Sequence, residues 1–197
     1  MRFIIMGRSR SGTTLTHDIL KDYGIPMDNL GGKSKEIESL DFEGGIKVST
    51  PIIPMMDRLI KSDVKVIHIY RDGRDCVCSA MKKARDKGDN GTWRLKDPYA
   101  GSKSWADCLD RWKYLEERND SADVLNVQFE DYISYPSCNS DLMSWFLGLD
   151  CDKLFKCEKK KVRKDMANIG RWKEELPDWE DVFHPNALKW LKVLGYV

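Results

Sequence analysis

Short apolar runs alternate with helical stripes along this chain. Arg2 to Met6 is an apolar run stopped by Gly7, the length of a buried strand. A loop rich in Gly, Ser and Arg follows, and then Leu15, Ile19, Leu20 and Tyr23 recur at helical spacing until Gly24. Val64 to Tyr70 and Val124 to Phe129 predict two further strands, and Ile46-Lys47-Val48 a shorter one. Helices are expected from about Asp75 to Ala84, along the shared face of Trp105, Leu109, Trp112 and Leu115, and through Leu188, Leu191 and Leu194 behind Pro185. Strands interleaved with helices predict an α/β fold of three layers, α/β/α, with a mostly parallel central sheet. The polar stretch from Lys82 to Ser104, with Gly88, Gly91, Pro98 and Gly101, is expected to be a mobile surface loop.

Composition narrows the function. A chain of 197 residues supports one core of ordinary size, so residues 1–197 are read as a single domain. The 33 basic side chains nearly balance the 32 acidic ones, which argues against a general affinity for nucleic acid or an anionic membrane. Any anion site must therefore be local. The apolar start, Phe3 to Met6, is too short for a signal-peptide core, and no run is long enough for membrane insertion. A cytoplasmic protein with reduced thiols is expected. The six cysteines (76, 78, 108, 138, 151 and 157) form no C-x-x-C pair, so they are read as core packing, with no metal site.

Chemistry enters at Gly7-Arg8-Ser9-Arg10-Ser11-Gly12-Thr13-Thr14, between the first strand and the first helix. Backbone N–H groups and a helix N-terminus can cradle phosphate oxygens there. The spacing is that of the triphosphate loop G-x-x-x-x-G-K-S/T, and the expected fold is accordingly P-loop NTPase-like, but Thr13 stands where the lysine should be. The cation is instead Arg10, on the other side of Gly12.

Arg10-Ser11-Gly12-Thr13-Thr14 resembles the 5′-phosphosulfate loop of the sulfotransferases that use 3′-phosphoadenosine 5′-phosphosulfate (PAPS). Three further segments follow in that family's order. Arg71-Asp72-Gly73-Arg74-Asp75-Cys76-Val77-Cys78-Ser79 matches the 3′-phosphate pattern R-D/N-x-x-D-x-x-x-S. Val162-Arg163-Lys164 and then Gly170-Arg171-Trp172-Lys173 resemble the loop R-K-G-x-x-G-x-W-K, with Asp165 in place of the first glycine and two extra residues before Gly170. The segment around Lys47 is similar to the cytosolic K-T-H-L-P stretch, but Ser49 occupies the position of the histidine base. Lys35-Glu36-Ile37-Glu38 resembles instead the catalytic-glutamate segment of the carbohydrate and tyrosine types.

The resemblance implies sulfuryl transfer from PAPS, with PAP as the other product, to a hydroxyl or amine of a small-molecule or glycan acceptor. It implies donor binding by Arg8, Ser11, Gly12, Thr13, Thr14, Arg71, Ser79, Arg163, Lys164 and Gly170. Arg10 and Lys47 would stabilise the departing phosphate, and Glu36, with Glu38 as second choice, would take the acceptor's proton. His17, His68 and His184 rank below Glu36 as base. No metal is implied, because fixed cations take its place. Leu15 stands where the family often has an adenine-stacking tryptophan, and Trp172 is the proposed substitute. A P-loop small-metabolite kinase and a non-catalytic nucleotide-binding module remain the rival readings, with Asp72 the kinase's best metal ligand. The sequence sets neither the acceptor nor the oligomeric state.

Overall fold

The first apolar run forms the middle of the sheet. In the computed structural model, which describes residues 1–31, 41–49, 52–86, 97–118, 123–162 and 168–197, β1 (Arg2–Met6) lies between β3 (Gly44–Val48) and β4 (Lys65–Tyr70). With β2 (Met27–Gly31) and β5 (Val124–Gln128) at the edges, the order is β2-β3-β1-β4-β5 and every pair is parallel. Successive side chains of β1 point to opposite faces. Phe3 and Ile5 pack with Ile19 and Leu20 of α1 (Thr13–Tyr23), while Ile4 and Met6 pack with Met55, Met56 and Leu59 of α2 (Ile53–Leu59). A sheet buried on both faces needs helices on both sides, which gives the expected three layers.

The face carrying α1 is completed by α5 (Phe129–Ser134), α6 (Pro136–Leu147) and α7 (Cys151–Lys161). The other face carries α2 and α4 (Pro98–Glu116), through Trp112 and Leu115. A third apolar cluster joins α3 (Gly73–Asp86) and α4 to the chain end, which folds as α8 (Trp172–Glu175), α9 (Trp179–Val182) and α10 (Pro185–Val193). Arg74 secures this end. It is buried, forms a bidentate pair with Asp72, donates to the Tyr196 carbonyl at 2.9 Å, and stacks on Trp172 and Trp179.

Several expectations change. The stretch Lys82 to Ser104 is largely helical where described: Lys82–Asp86 ends α3, and Asp97 caps α4 by accepting the N–H groups of Tyr99 and Ala100, ahead of Pro98 in the first turn. Asp-Pro here is a helix start, a signal outweighed by the surrounding glycines. β2 was not expected, because its Asp28 and Asn29 break the apolar run; it is an edge strand that pairs on one side only. Cys76, Cys78, Cys108 and Cys157 are buried free thiols as core packing requires, but Cys138 is exposed and Cys151 half-buried, its thiol against Asp141. His68 lies within β4, its ring stacked on Trp112 at 4.0 Å and bonded to Asn126; burial lowers its pKa to about 4, so it is neutral.

The loop after β1 is held by a left-handed residue pair, Arg10 at φ 79° and Gly12 at φ 107°. A Cβ on Gly12 would lie 2.4 Å from Cδ2 of Phe129. Gly12→Ala is therefore expected to cost about 2 kcal/mol or more, from backbone strain and overpacking together, read as a lower denaturant midpoint.

Between α1, α5, α6 and α7 lies one fully buried carboxyl, Glu158, which accepts from Ser140 and sits beside the Tyr132 hydroxyl. Burial raises its pKa to about 7, so the folded state holds a proton that the unfolded chain releases near pH 4.5. Stability should fall as pH rises between these values and level off above the upper one. Glu158→Gln, which mimics the protonated acid, should raise the melting temperature relative to wild type at pH 8 and change it little at pH 5.

Candidate functional site

The carboxyl ends of β1, β3 and β4 converge at one edge of the sheet, the position where open parallel sheets bind ligands. A cleft of about 1010 Å³ opens there. The loop after β1 and the start of α1 supply Arg10, Gly12, Thr13 and Thr14 to its wall, β3 supplies Lys47, and the segment following it supplies Ser49.

Lys47 sits in the buried strand β3, and its Nζ donates to Oγ1 of Thr14 at 3.0 Å. Burial lowers its pKa; Asp18 opposes that shift and Lys83 adds to it. A lysine in a buried strand can be tolerated because its stem packs while its ammonium reaches the cleft.

The second phosphate motif arrives at the same cleft from the tip of β4. Arg10 Nε donates to Ser79 Oγ at 2.9 Å, although 69 residues separate them. The Arg10 carbonyl accepts from Arg71 at 3.5 Å. Arg71 also donates to the Asn168 carbonyl at 3.2 Å and to Asp75 at 3.4 Å, and its guanidinium lies 4.5 Å from the centre of the Phe129 ring. Asp75 is buried and accepts the N–H groups of Gly170 at 2.8 Å and Trp172 at 3.3 Å. The carboxylate thus joins the segment 168–172 to the start of α3. Burial lowers the pKa of Arg10; Cys76 opposes that shift, while the charges of Arg71 and Arg171 add to it.

The structure therefore brings Arg10, Gly12, Thr13, Thr14, Lys47, Arg71 and Ser79 together around one cleft. It turns Arg8 and Ser11 away: their side chains lie on the far side of the loop, with His68 and Trp105. Gly170 contributes its backbone N–H to Asp75 rather than a cleft wall. Glu36, Glu38, Arg163 and Lys164 lie outside the described residues. Trp172 does not line the cleft, because Arg74 stacks on its ring at 3.8 Å. Asp72 is likewise committed, to Arg74. His17 is buried against Asp18, and His184 caps α10.

The sequence reading missed Lys82, Lys83, Asp86, Phe129, Lys161 and Arg171, which also line the cleft. Ser79, Lys82, Lys83 and Asp86 are spaced i, i+3, i+4 and i+7, a single face of α3 that helical spacing could have revealed. Among the described lining residues, seven cations (Arg10, Lys47, Arg71, Lys82, Lys83, Lys161 and Arg171) face one carboxylate, Asp86. Such a site is built for a polyanion, and the arginines suit phosphate oxygens.

Comparison with known proteins gives the same direction. The sulfotransferase domain model matches residues 1–181. No curated protein sequence matches. Among solved structures, a mouse sulfotransferase in complex with PAP is 15% identical with a TM-score of 0.60, over 98% of this chain and 82% of that one. The sulfotransferase domain of the Synechococcus PCC 7002 olefin synthase is 14% identical with a TM-score of 0.64, over 100% and 94%. Retinol dehydratase in complex with retinol and PAP is 16% identical with a TM-score of 0.56, over 98% and 81%. At these identities the structures establish a shared fold. The family model, spanning both the phosphate loop and the Arg71–Ser79 segment, establishes more: the chain belongs to the sulfotransferase domain family.

Proposed function

We propose that this domain, read as residues 1–197, transfers a sulfuryl group from PAPS to a hydroxyl or amine of a small-molecule or glycan acceptor. The observation that carries the reading is the meeting of two phosphate motifs in one cationic cleft, marked by the bond from Arg10 to Ser79. The donor set fits the nucleotide: hydroxyls and N–H groups of the loop, Lys47 beside Thr14, and arginines at the other motif. A volume of about 1010 Å³ is ample for a nucleotide and part of an acceptor. The PAP complexes of the mouse enzyme and of retinol dehydratase support the same donor.

When bound, PAPS supplies the sulfuryl group and leaves as PAP. Lys47 and the N–H groups of Gly12 to Thr14 stabilise negative charge at the 5′ end. Arg71 and Ser79 hold the 3′-phosphate, and Arg10 sits between the two ends. The acceptor's proton goes to Glu36 on the strength of the motif that it resembles. The acceptor enters the same cleft, whose lining also includes Ser49 and Asp86.

Calorimetric titration with PAP, ADP and ATP, with and without Mg²⁺, tests the donor. PAP is expected to bind tightest and without dependence on the metal; preference for Mg-ATP would overturn the reading in favour of a kinase. Glu36→Gln should lower kcat by about 100-fold or more and leave PAP affinity unchanged. Full turnover in that variant would place the base elsewhere.

A further inference from the structure

We infer that Arg171 is a further ligand of the donor's 3′-phosphate; the assignment rests on the PAPS reading above. The motif R-K-G-x-x-G-x-W-K leaves the residue between Gly170 and Trp172 unspecified, so the resemblance assigns Arg171 no role. The structure treats that residue differently. Asp75 accepts the N–H of Gly170 through Oδ2 at 2.8 Å and that of Trp172 through Oδ1 at 3.3 Å, so one carboxylate grips the peptide on both sides of Arg171. Glu175, one turn on, accepts from Arg171 Nε at 2.9 Å, and the same carboxylate oxygen forms an ion pair with Nη2 at 2.7 Å, fixing the guanidinium as well as the backbone. Only 12% of the Arg171 side chain is exposed, although it belongs to the cleft wall.

A guanidinium carries five N–H donors in a rigid fork, and Glu175 engages one side of it. The rest is available to an anion in the cleft. Two features select the 3′ end. Asp75 also receives Arg71, so the residue that orients Arg171 orients the 3′-motif arginine too. Arg10, which donates to Ser79 at 2.9 Å, feels the charges of both Arg71 and Arg171, whereas the cation acting on Lys47 is Lys83. Arg10, Arg71 and Arg171 are like charges lining the same cleft as Ser79; Asp75 and Glu175 offset part of that repulsion, and a bound phosphate offsets the rest.

The test compares PAP with 5′-AMP, which lacks only the 3′-phosphate, by calorimetry on wild type, Arg171→Ala and Arg71→Ala as the reference. Arg171→Ala is expected to weaken PAP about 10- to 100-fold and 5′-AMP by less than about 3-fold. Equal losses for both ligands, or an unchanged PAP affinity, would overturn the inference. Should the alanine variant melt early, Arg171→Gln keeps the side-chain length and is read by the same ratio. If wild type itself binds PAP no better than 5′-AMP, the donor reading falls and takes this one with it. A wild type that prefers PAP, beside an Arg171→Ala variant that prefers it equally, removes Arg171 alone.

Discussion

A single buried carboxylate organises the anion site. Asp75 is 1% exposed and receives Arg71, the N–H of Gly170 and the N–H of Trp172. A carboxylate in that position needs all of these donors, because an unpaired buried charge is strongly destabilising. Satisfying it brings a segment from near the chain end, 95 residues away, to the start of α3. Arg71 and the segment carrying Asn168 and Arg171 are thereby held against each other before any ligand arrives. Preorganisation of this kind lowers what nucleotide binding must spend on ordering side chains.

The alternating charges of Arg71-Asp72-Gly73-Arg74-Asp75 divide by direction. Arg71 and Asp75 serve the cleft, while Asp72 and Arg74 pair with each other and anchor the chain end through Trp172, Trp179 and the Tyr196 carbonyl. Glu130 completes the link by accepting the Asp72 N–H at 3.0 Å and the Tyr196 hydroxyl at 3.0 Å. Gly73 sits between the two halves because Trp105 fills the space that a Cβ would need, at 2.6 Å. Five consecutive residues thus connect the anion cleft to the third apolar cluster.

Charge in the cleft follows from this arrangement. The chain as a whole is nearly neutral at +1, but the described lining is strongly cationic. Local concentration of positive charge in a partly enclosed cleft acts on a polyanion more strongly than the same charges spread over a surface. The loop after β1 contributes more than charge: its left-handed Arg10 and Gly12 turn the chain so that Gly12 packs on Phe129 and Thr13 begins α1.

Much of this was legible in residue order. The apolar runs of β1, β4 and β5, the stripe of α1, and the motifs at Arg10 and Arg71 depend on local spacing, and the parallel three-layer fold follows from their alternation. β2 and the start of α4 were not legible. Edge strands lack a continuous apolar signal, and the Asp97-Pro98 cap competes with a glycine-rich neighbourhood. By itself the sequence determined the fold class, which the short-range periodicity of strands and helices encodes, and it displayed the Arg10–Thr14 and Arg71–Ser79 segments whose spacing resembles the sulfotransferase motifs. Only the tertiary structure decided that Arg8 and Ser11 face away, that Trp172 is occupied by Arg74, and that Arg171 joins Arg10 and Arg71 at the cleft. Those outcomes depend on which side of a turn a side chain leaves and on partners about a hundred residues away, such as the 97 between Asp75 and Trp172, and no local pattern carries that information.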